Sequence, residues 1–443
     1  MKILIVGAGE VGTHLAKLLA REKVNITLLD QDASRLQDLE NYDFLTKEGA
    51  PNSIHDLQDA GVASVDLFIA VTPLESVNMT ACMIAKNLGA RQTLARIDNY
   101  EYLLPKNRDF FEKLGINHFI YPEVLAAHEI TESLQKNWMR KYLSFGNGEL
   151  ILLSIKVRQN AEIINKKFIS GFFNHNHYRV VAINRNLQTI IPSGNDEIIA
   201  NDTVYFITTK ENIDFVRRQA GKEDFKIKNV MILGATRIAQ KIVQSISNDY
   251  NIKILEKDKD ACYALSEKLC NNTLIINRDG RDVDVLREED IANMDAFVAV
   301  TESSEANMLA CLVAKGFGVK KIIAEIENLD YIALSEQMDI GSLINKKIIA
   351  AGYIHQITLN SDVLDIRTLP SADAEIVEIG VKEGDKITKK QIKHLRMPSD
   401  VNIGGYIRNG VGMIVNGDTQ ILPGDHVIVF CKASEHTPLK GLF

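Results

Sequence analysis

Several common sequence features are absent from this chain of 443 residues, and each absence excludes a class of protein. No apolar run approaches the roughly 18 residues that a membrane-spanning helix requires. Residues 1–7 lack the apolar segment and the small-residue cleavage site of a signal peptide. The formal net charge is −7, whereas a surface that neutralises nucleic-acid phosphates is basic. We therefore expect a cytoplasmic protein that neither spans a membrane nor binds nucleic acid.

Signatures of metal and nucleophilic chemistry are also missing. The cysteines have no CxxC spacing and are odd in number, which predicts buried free thiols in a reducing compartment at Cys82, Cys262, Cys270, Cys311 and Cys431. His175 and His177 form an HxH pair, but two ligands are too few for a zinc site, and we predict no metal. Neither GxSxG nor GxxxxGK(S/T) occurs, so esterase and P-loop chemistry have no motif.

The chain contains an internal repeat. Residues 70–102 read AVTPLESVNMTACMIAKNLGARQTLARIDNYEY, and residues 299–331 read AVTESSEANMLACLVAKGFGVKKIIAEIENLDY. Upstream, KILIVGAGEVG at 2–12 matches NVMILGATRIA at 229–239, and NITLLDQD at 25–32 matches NIKILEKD at 251–258. Because the segments keep their order and nearly keep their spacing, we interpret them as a duplication.

A second, weaker repeat follows each large copy, between residues 178–206 and 401–429. Three residue pairs recur there at one spacing: Arg185 with Arg408, Gly194 with Gly417, and Asp202 with Asp425. Both stretches read as short strands separated by turn signals. The predicted order is large, small, large, small, with domains at 1–137, 138–225, 226–355 and 356–443.

Short apolar strands alternate with amphipathic helices in the first large copy. The predicted strands are 2–6, 26–29, 44–46, 67–71 and 93–97, and the predicted helices are 11–22, 34–39 and 76–88. This alternation predicts an α/β fold in which each large copy is a Rossmann-like, doubly wound parallel sheet followed by a small α/β domain. Ligands bind at the carboxyl ends of such strands. We therefore expect the strand-end residues to converge on one crevice: Gly7, Asp30, Glu48, Thr72 and Arg96.

The sequence Gly7-Ala8-Gly9-Glu10-Val11-Gly12 is a GxGxxG motif between a strand and a helix. Gly7 permits a tight turn, Gly9 lets the backbone approach a pyrophosphate, and Gly12 lets helix and strand pack closely. Asp30 ends the next strand, where a carboxylate accepts hydrogen bonds from ribose hydroxyls. Such a carboxylate favours NAD(H) over NADP(H), whose 2′-phosphate it would repel. We predict that a nucleotide binds here.

The other crevice residues of the first copy have alternative roles. Thr72 is equally consistent with a helix cap and with a ligand contact. Arg96 is better explained by a ligand contact than by a surface ion pair. Glu48 and Gly49 lie in a loop that faces the crevice, where direct contact and no contact are equally plausible. Asn78 and its counterpart Asn307 are expected to bond the backbone near the loop.

The second copy departs from this pattern. Gly234-Ala235-Thr236-Arg237-Ile238-Ala239 keeps one glycine of three, and Thr236 would crowd a pyrophosphate. Glu256 keeps the acidic position, whereas Arg96 of the first copy becomes Glu325. Weak nucleotide binding, binding of an uncharged portion and an empty site all stay open for this copy.

Sequence reasoning favours binding over catalysis. A nicotinamide oxidoreductase needs an acid or base and a substrate-orienting cation beside the dinucleotide, and these commonly come from a substantial substrate domain. Here the domain after the first Rossmann-like copy is small, rich in strands and itself duplicated. We predict that the chain is not an enzyme.

With these motifs identified, the chain resembles a known family. KILIVGAGEVG, AVTPLESVNMTACMIAKNLGARQTLARI, its copy AVTESSEANMLACLVAKGFGVKK and the ending LPGDHVIVF resemble the TrkA family, the cytosolic subunits of bacterial Trk potassium uptake systems. Chains of that family carry two RCK N and two RCK C domains in tandem. The resemblance implies that four chains form a gating ring of RCK domains on the cytoplasmic face of a TrkH- or TrkG-type membrane protein. It also implies that helices near 101–135 form the crossover that pairs adjacent N domains.

The resemblance implies a nucleotide site as well, with NAD(H) at the first copy and with ATP or ADP also bound in the family. The residues that match its first site are Gly7, Ala8, Gly9, Glu10, Val11, Asp30, Thr72 and Arg96, to which we add Gly12, Glu48, Gly49 and Pro73 as candidates. The matching positions of the second copy are Gly234, Ala235, Thr236, Arg237, Ile238, Glu256 and Thr301. Two alternatives stay open: an NAD-dependent oxidoreductase, and a nucleotide-sensing subunit of a different channel or transporter.

Overall fold

The structure is a computed structural model with side chains. It describes residues 1–20, 24–173, 175–246, 250–269, 273–358, 363–369, 372–432 and 442–443. Cys270 lies outside these ranges. The other four cysteines are free thiols, of which Cys82, Cys311 and Cys431 are buried and Cys262 is half-buried.

The chain forms two compact units. The first contains Met1–Leu125 together with Lys346–Thr358, and the second contains Ala126–Asn345 together with Leu359–Phe443. Within the described ranges, no helix is both long enough and apolar enough to cross a membrane.

The first unit is built on a six-stranded, all-parallel sheet. Its strands are β1 (Lys2–Val6), β2 (Asn25–Asp30), β3 (Leu45–Glu48), β4 (Leu67–Ala70), β5 (Gln92–Arg96) and β6 (His118–Ile120), in the spatial order β3-β2-β1-β4-β5-β6. The helices that follow these strands are α1 (Glu10–Ala20), α2 (Ser34–Gln37), α3 (Ile54–Asp59), α4 (Glu75–Asn87), α5 (Arg108–Lys113) and α6 (Pro122–Gln135). The reversal of strand order beside β1 is the doubly wound arrangement that the alternating pattern predicts.

The stretch 101–135 contains the helices α5 and α6 and, between them, a short strand that the sequence did not indicate. His118–Ile120 pairs in parallel with β5 as an edge strand, between α5 and α6. A run this short is too brief for helical or alternating periodicity to distinguish the two structures. The residues of α6 belong to both units, and in the second unit the Thr131 hydroxyl oxygen lies 2.9 Å from that of Ser245.

The second unit repeats the parallel sheet after a first antiparallel one. The antiparallel sheet contains β7 (Lys141–Phe145), β8 (Leu150–Lys156), β9 (Tyr178–Arg185), β10 (Gln188–Ile190) and β11 (Thr203–Thr208), and the helix α7 (Ile213–Gln219) follows it. The second parallel sheet contains β12 (Asn229–Leu233), β13 (Asn251–Glu256), β14 (Thr273–Asn277), β15 (Ala296–Ala299), β16 (Lys321–Glu325) and β17 (Ser342–Ile344). Its helices are α8 (Arg237–Ser245), α9 (Lys259–Ser266), α10 (Val283–Glu288), α11 (Ser304–Gly316), α12 (Asp330–Gln337) and α13 (Lys346–Thr358). The order β14-β13-β12-β15-β16-β17 reproduces the first parallel sheet strand for strand.

A second antiparallel sheet completes this unit. Its strands are β18 (Val363–Leu369), β19 (Ala374–Gly380), β20 (Val401–Arg408), β21 (Val411–Ile414) and β22 (His426–Lys432). Apolar residues of the two antiparallel sheets share one core, in which the rings of Tyr205 and Phe430 lie 6.0 Å apart. The predicted fold class is confirmed: two Rossmann-like parallel-sheet domains, each followed in sequence by a smaller domain built on an antiparallel sheet.

Helix α13 packs in the first unit, although it follows the last strand of the second parallel sheet. Ala350, Ala351 and Ile354 are fully buried in the same cluster as Leu15 and Leu19 of α1. Burial of a leucine side chain contributes roughly 1.5–3 kcal/mol. The core of the first Rossmann-like domain is therefore completed by a distant segment of the chain.

A cluster of charges joins the first antiparallel domain to the second Rossmann-like domain within the second unit. The Asp339 carboxylate is paired with Arg140 and Arg158, and lies 3.0 Å from Lys315 Nζ and 3.7 Å from Lys156 Nζ. Below it, the fully buried Lys321 ammonium donates to the Met139 carbonyl at 2.8 Å and to the Ser342 hydroxyl at 3.2 Å. Burial, together with the nearby charge of Arg140, lowers the pKa of Lys321 to about 7.

Candidate functional site

The carboxyl ends of the first parallel sheet form one edge. The register pairs Val6 with both Leu29 and Ala70, and Asp30 with Glu48. Gly7 therefore follows β1 beside the end of β2, and its amide donates to the Leu29 carbonyl at 2.8 Å. We call this edge of the sheet, with the turn that follows β1, the first crevice.

The three glycines of the GxGxxG motif face different surroundings. Gly7 has a φ of +105°, and a Cβ there would lie 3.0 Å from the Thr72 nitrogen. A Cβ on Gly12 would lie 1.9 Å from the Gly7 carbonyl oxygen, so only glycine lets α1 approach β1 this closely. A Cβ on Gly9 would meet no described atom within 4 Å, and its φ is not in the left-handed region. Thus the packing of the protein requires Gly7 and Gly12, whereas the space beside Gly9 is open.

Asp30 supports the glycine turn from the end of β2. Its carboxylate is almost fully buried and accepts hydrogen bonds from the amides of Ala8 at 2.6 Å and Asp32 at 2.9 Å. Arg35 approaches the same carboxylate at 3.9 Å. Since a carboxylate has about four lone-pair directions, Asp30 retains acceptor capacity beyond these contacts.

Thr72 and Asn78 link the ends of β4 and β5. The Asn78 side chain accepts from the Thr72 amide at 2.9 Å and donates to the Thr72 carbonyl at 2.9 Å and the Arg96 carbonyl at 3.0 Å. The Thr72 hydroxyl lies 2.7 Å from the Asn78 amide oxygen. Asn307 makes the same bonds to Thr301 and Glu325 in the second copy, so this linkage belongs to the repeated fold.

Arg96 ends β5 and forms an ion pair, the alternative ranked below a ligand contact, with a partner that the sequence did not indicate. Its Nη2 lies 3.5 Å from Glu123 Oε1, in the first turn of α6. Arg96 Nε and Glu123 Oε2 are buried, and neither has a hydrogen-bond partner among the described residues. A partly buried guanidinium with an unsatisfied donor at the crevice can bind an anion when one is present.

The remaining candidates of the first copy occupy the turn and the neighbouring loops. Glu10 begins α1 and Val11 contributes a buried side chain to the core. Glu48 and Pro73 are exposed, at the end of β3 and after β4 respectively. The Gly49 amide donates to the Asp30 carbonyl at 3.0 Å, which holds the loop after β3 against the crevice.

Asp56 orders that loop, and the sequence reasoning did not single it out. Its carboxylate accepts from the Ala50 amide at 2.8 Å. This hydrogen bond, with smaller contributions from His55 and Ser53, lowers the pKa of Asp56. The signal available in the sequence was Ser53, which caps α3 through the Asp56 amide.

The second copy keeps the same framework but differs where a phosphate would lie. Gly234 has a φ of +107°, and Glu256 accepts from the Ala235 amide at 2.8 Å and the Asp258 amide at 2.9 Å. The Thr236 hydroxyl caps α8 by accepting from the Ala239 amide at 3.4 Å.

At the same crevice Arg237 and Ile238 match their first-copy counterparts Glu10 and Val11 in exposure, whereas Glu325 differs from Arg96 in charge. Arg237 is exposed, Ile238 is buried in the core, and Glu325 is 2% exposed at the end of β16. A buried carboxylate at this position disfavours a second anion.

The HxH pair lies against aromatic side chains of the first antiparallel domain. The His177 and Phe215 rings lie 4.4 Å apart, and the His175 and Tyr178 rings lie 4.5 Å apart. Burial lowers the pKa of His175, and the charge of His177 lowers it further. In the described part of the chain, no group of three or more His, Cys, Asp or Glu side chains could hold a metal ion.

Sequence comparison identifies related proteins along the whole chain. The TrkA-N domain matches residues 3–122 and 230–346, and the TrkA-C domain matches residues 152–221 and 376–436. The Trk system potassium uptake protein TrkA of Haemophilus influenzae is 32% identical over 99% of this chain and 97% of its own length. TrkA homolog 1 of Methanosarcina mazei is 28% identical over the full length of both chains.

Structural comparison finds the same architecture at low sequence identity. A crystal structure of the GsuK RCK domain superposes with a TM-score of 0.60 at 14% identity, covering 100% of this chain and 94% of that one. The GsuK channel bound to NAD superposes with a TM-score of 0.57 at 14% identity, covering 100% of this chain and 78% of that one.

Proposed function

The chain belongs to the TrkA family of potassium uptake proteins, and from this membership we propose that it is a non-catalytic, nucleotide-sensing subunit that gates a Trk-type transporter. The family match to both copies of the N domain and both copies of the C domain supports this assignment. The GsuK neighbour solved with NAD has the same fold and supports a nucleotide as the ligand.

The open space beside Gly9 carries the nucleotide proposal. Backbone conformation and steric contacts require glycine at positions 7 and 12, but a Cβ at position 9 would meet no described atom within 4 Å. A glycine that the protein's own packing does not need is explained by a ligand that approaches the backbone there. The amides at the N-terminus of α1 and the helix dipole favour a phosphate in that space.

We assign NAD(H) to the first crevice, with ATP or ADP as competing ligands. The phosphates rest on the amides of Gly9, Glu10 and Val11, and Asp30 accepts from the ribose. Thr72 and Arg96 border the ligand on the other side of β1. The second crevice binds nucleotide more weakly, because Thr236 stands where the first copy has Gly9 and Glu325 replaces Arg96.

The proposal extends to assembly and location. Four chains form a ring of RCK domains, with RCK N domains at 1–137 and 226–355 and RCK C domains at 138–225 and 356–443. The ring binds a TrkH- or TrkG-type subunit from the cytoplasmic side of the membrane. Nucleotides that differ in affinity for two states of the ring shift the population of those states and so alter transport.

Potassium uptake in cells that lack the native subunit tests this function. Expression of the wild-type chain is expected to restore uptake. The Gly9→Asp variant is expected to lose the nucleotide dependence of uptake, because the new carboxylate occupies the space beside position 9 and repels the phosphate. Gly316→Asp makes the same chemical change at an exposed position of α11, where a Cβ meets no described atom, and serves as the matched control. Nucleotide-dependent uptake by Gly9→Asp at the wild-type level would remove the first crevice from the mechanism.

A further inference from the structure

Helices α1 and α13 begin side by side in the first unit. Lys347, the second residue of α13, forms an ion pair with Glu10, the first residue of α1. Further along the pair, Ala351 and Ile354 share a buried cluster with Leu15. The two N-termini therefore lie at the same end, and that end is the one that carries the GxGxxG turn.

The first turn of α13 carries positive charges, whereas acidic residues are the favourable ones at a helix N-terminus. Lys346 and Lys347 occupy its first turn, and the first turn holds no acidic residue. A cation at a helix N-terminus opposes the helix dipole, and a buried ammonium needs an anion close to it. The Lys347 side chain is only 8% exposed, whereas that of Glu10 is 72% exposed. One anion that contacts this nearly buried lysine is thus a largely solvated glutamate.

The equivalent position in the first copy has the opposite charge. Lys347 lies three residues after Ile344 of β17, just as Glu123 lies three residues after Ile120 of β6. Glu123 faces Arg96, and Arg96 is itself replaced by Glu325 in the second copy. The duplication has therefore exchanged both signs, and only the second copy can supply a cation from the first turn of this helix.

Glu10 also marks where a phosphate would lie. It follows Gly9, whose Cβ position opens on free space, and its own amide is at the N-terminus of α1. An anion bound to the amides at the N-terminus of α1 would lie beside the Glu10 carboxylate, which forms the ion pair with Lys347. A phosphate there and the Glu10 side chain compete for the same ammonium, since each is stabilised by it and they repel one another.

We propose that Lys347 is a phosphate-binding residue of the first crevice, and that a nucleotide phosphate displaces the Glu10 carboxylate from it. This inference rests on the proposed nucleotide-sensing function. It predicts that the site prefers ligands with several phosphate charges, because adenosine carries no anionic group for the ammonium to bind. It also ties α13, a segment of the second copy, to occupancy of the first crevice.

Isothermal titration of the full-length protein with ATP, ADP and adenosine tests the assignment. Lys347→Gln is expected to bind ATP and ADP about tenfold more weakly, the loss of one charge-assisted contact, with adenosine affinity unchanged. Glu10→Gln is expected to bind ATP several-fold more tightly, since the competing carboxylate is gone. Lys17→Gln removes one positive charge from the other end of α1 and is the control, with all affinities unchanged.

ATP affinity is expected to fall in Lys347→Gln and to rise in Glu10→Gln. If the ion pair were purely structural, both variants would lose the same contact and their ATP affinities would change in the same direction. Equal ATP affinity in the wild type and Lys347→Gln would overturn the inference and leave the proposed function intact. Failure of the wild type to bind any nucleotide would instead overturn the proposed function. If Lys347→Gln does not fold, the exposed Glu10→Gln variant decides: a gain in ATP affinity supports the assignment, and no gain refutes it.

Discussion

Arg185 and Asp202 form a bidentate ion pair in the first antiparallel domain, with Nε–Oδ1 and Nη2–Oδ2 distances of 2.9 and 2.8 Å. Arg408 and Asp425 repeat it in the second at 2.7 and 2.6 Å. The carboxylates are almost fully buried, and each also accepts from a backbone amide of the preceding turn. The weak sequence repeat of the small domains thus corresponds to one repeated contact.

Removal of either carboxylate charge is expected to destabilise its domain. Asp202→Asn removes a buried carboxylate charge and leaves the partly exposed Arg185 guanidinium without its counter-charge, so we expect the free energy of unfolding to fall by about 2 kcal/mol. Asp425→Asn is expected to behave in the same way. Thermal unfolding monitored by circular dichroism measures both variants.

The control for this pair is Asp214→Asn, which breaks the ion pair of Asp214 with Arg217 on the surface. Exposed pairs contribute about 0–1 kcal/mol, so its unfolding temperature is expected to stay near that of the wild type. An equally small effect of Asp202→Asn would contradict the importance assigned to the buried pair.

Alanine substitutions at Gly9 and Gly12 are expected to affect different properties: nucleotide affinity at Gly9 and stability at Gly12. A Cβ on Gly12 would lie 1.9 Å from a backbone oxygen, so Gly12→Ala is expected to cost about 3 kcal/mol of stability by forcing α1 away from β1. Gly9→Ala meets no described atom and is expected to leave stability unchanged while lowering nucleotide affinity about tenfold or more. Unfolding curves and titration with NAD⁺ measure the two effects. Unchanged nucleotide affinity in Gly9→Ala would count against the first crevice.

Asp339 is expected to be the most sensitive residue of its charge cluster. Burial by itself would raise its pKa, but the hydrogen bonds from Arg158 and Lys315 and the charge of Arg140 hold the pKa well below the ordinary value. Asp339→Asn leaves these cations facing one another, and we expect a loss of about 3 kcal/mol at pH 7. Denaturant unfolding of the full chain measures it.

The pH dependence of the stability lost in Asp339→Asn follows from the lowered pKa of the Asp339 carboxyl. A carboxyl whose native pKa is depressed contributes its full stability above the unfolded pKa of 3.8, and loses it as the pH falls through the lower native pKa. The difference between the wild type and Asp339→Asn is therefore expected to stay constant from pH 7 to pH 5. Asp284→Asn, in an exposed pair with Arg287, should show almost no difference at either pH.

The titration of Lys321 is expected to make the free energy of unfolding depend on pH above pH 7. The cause is a buried cation rather than a paired carboxylate. Its native pKa is about 7 and its ordinary value is 10.5, so between these values the unfolded chain binds more protons than the native one. The free energy of unfolding therefore rises with pH in this window and is independent of Lys321 titration below it. From pH 7 to pH 9 the wild type is expected to gain about 2–3 kcal/mol relative to Lys321→Met, at roughly 1.36 kcal/mol per unit. Parallel stability curves for the two proteins would refute this.

The sequence predicts most of the local structure of this protein because its signals are local or repeated. The glycine motif and the alternation of strands and helices predict the Rossmann-like domains, and the repeat predicts that the chain contains two. Arg185, Asp202 and their counterparts were found because the same spacing occurs twice. The resemblance to the TrkA family is likewise confirmed by the domain matches along the chain.

Contacts between distant segments account for what the sequence did not predict. Glu123 faces Arg96 only because β6 places α6 beside β5, and three residues of strand carry no usable periodicity. The pairing of Lys347 with Glu10 joins residues from different copies, so neither copy alone indicates it. The open space beside Gly9 differs from the crowding at Gly12 in a way that only the folded structure reveals.

The packing of α13 against α1 sets the order in which the protein can mature on the ribosome. The N-terminal domain emerges first, yet the apolar stripe of α1 is not covered by Ala350, Ala351 and Ile354 until most of the polypeptide has been translated. During that interval the nascent domain exposes part of its interior, which makes it a substrate for chaperones and proteases. A premature stop codon before residue 346 would leave that surface permanently uncovered, so truncated products should be cleared rather than accumulate as a working half.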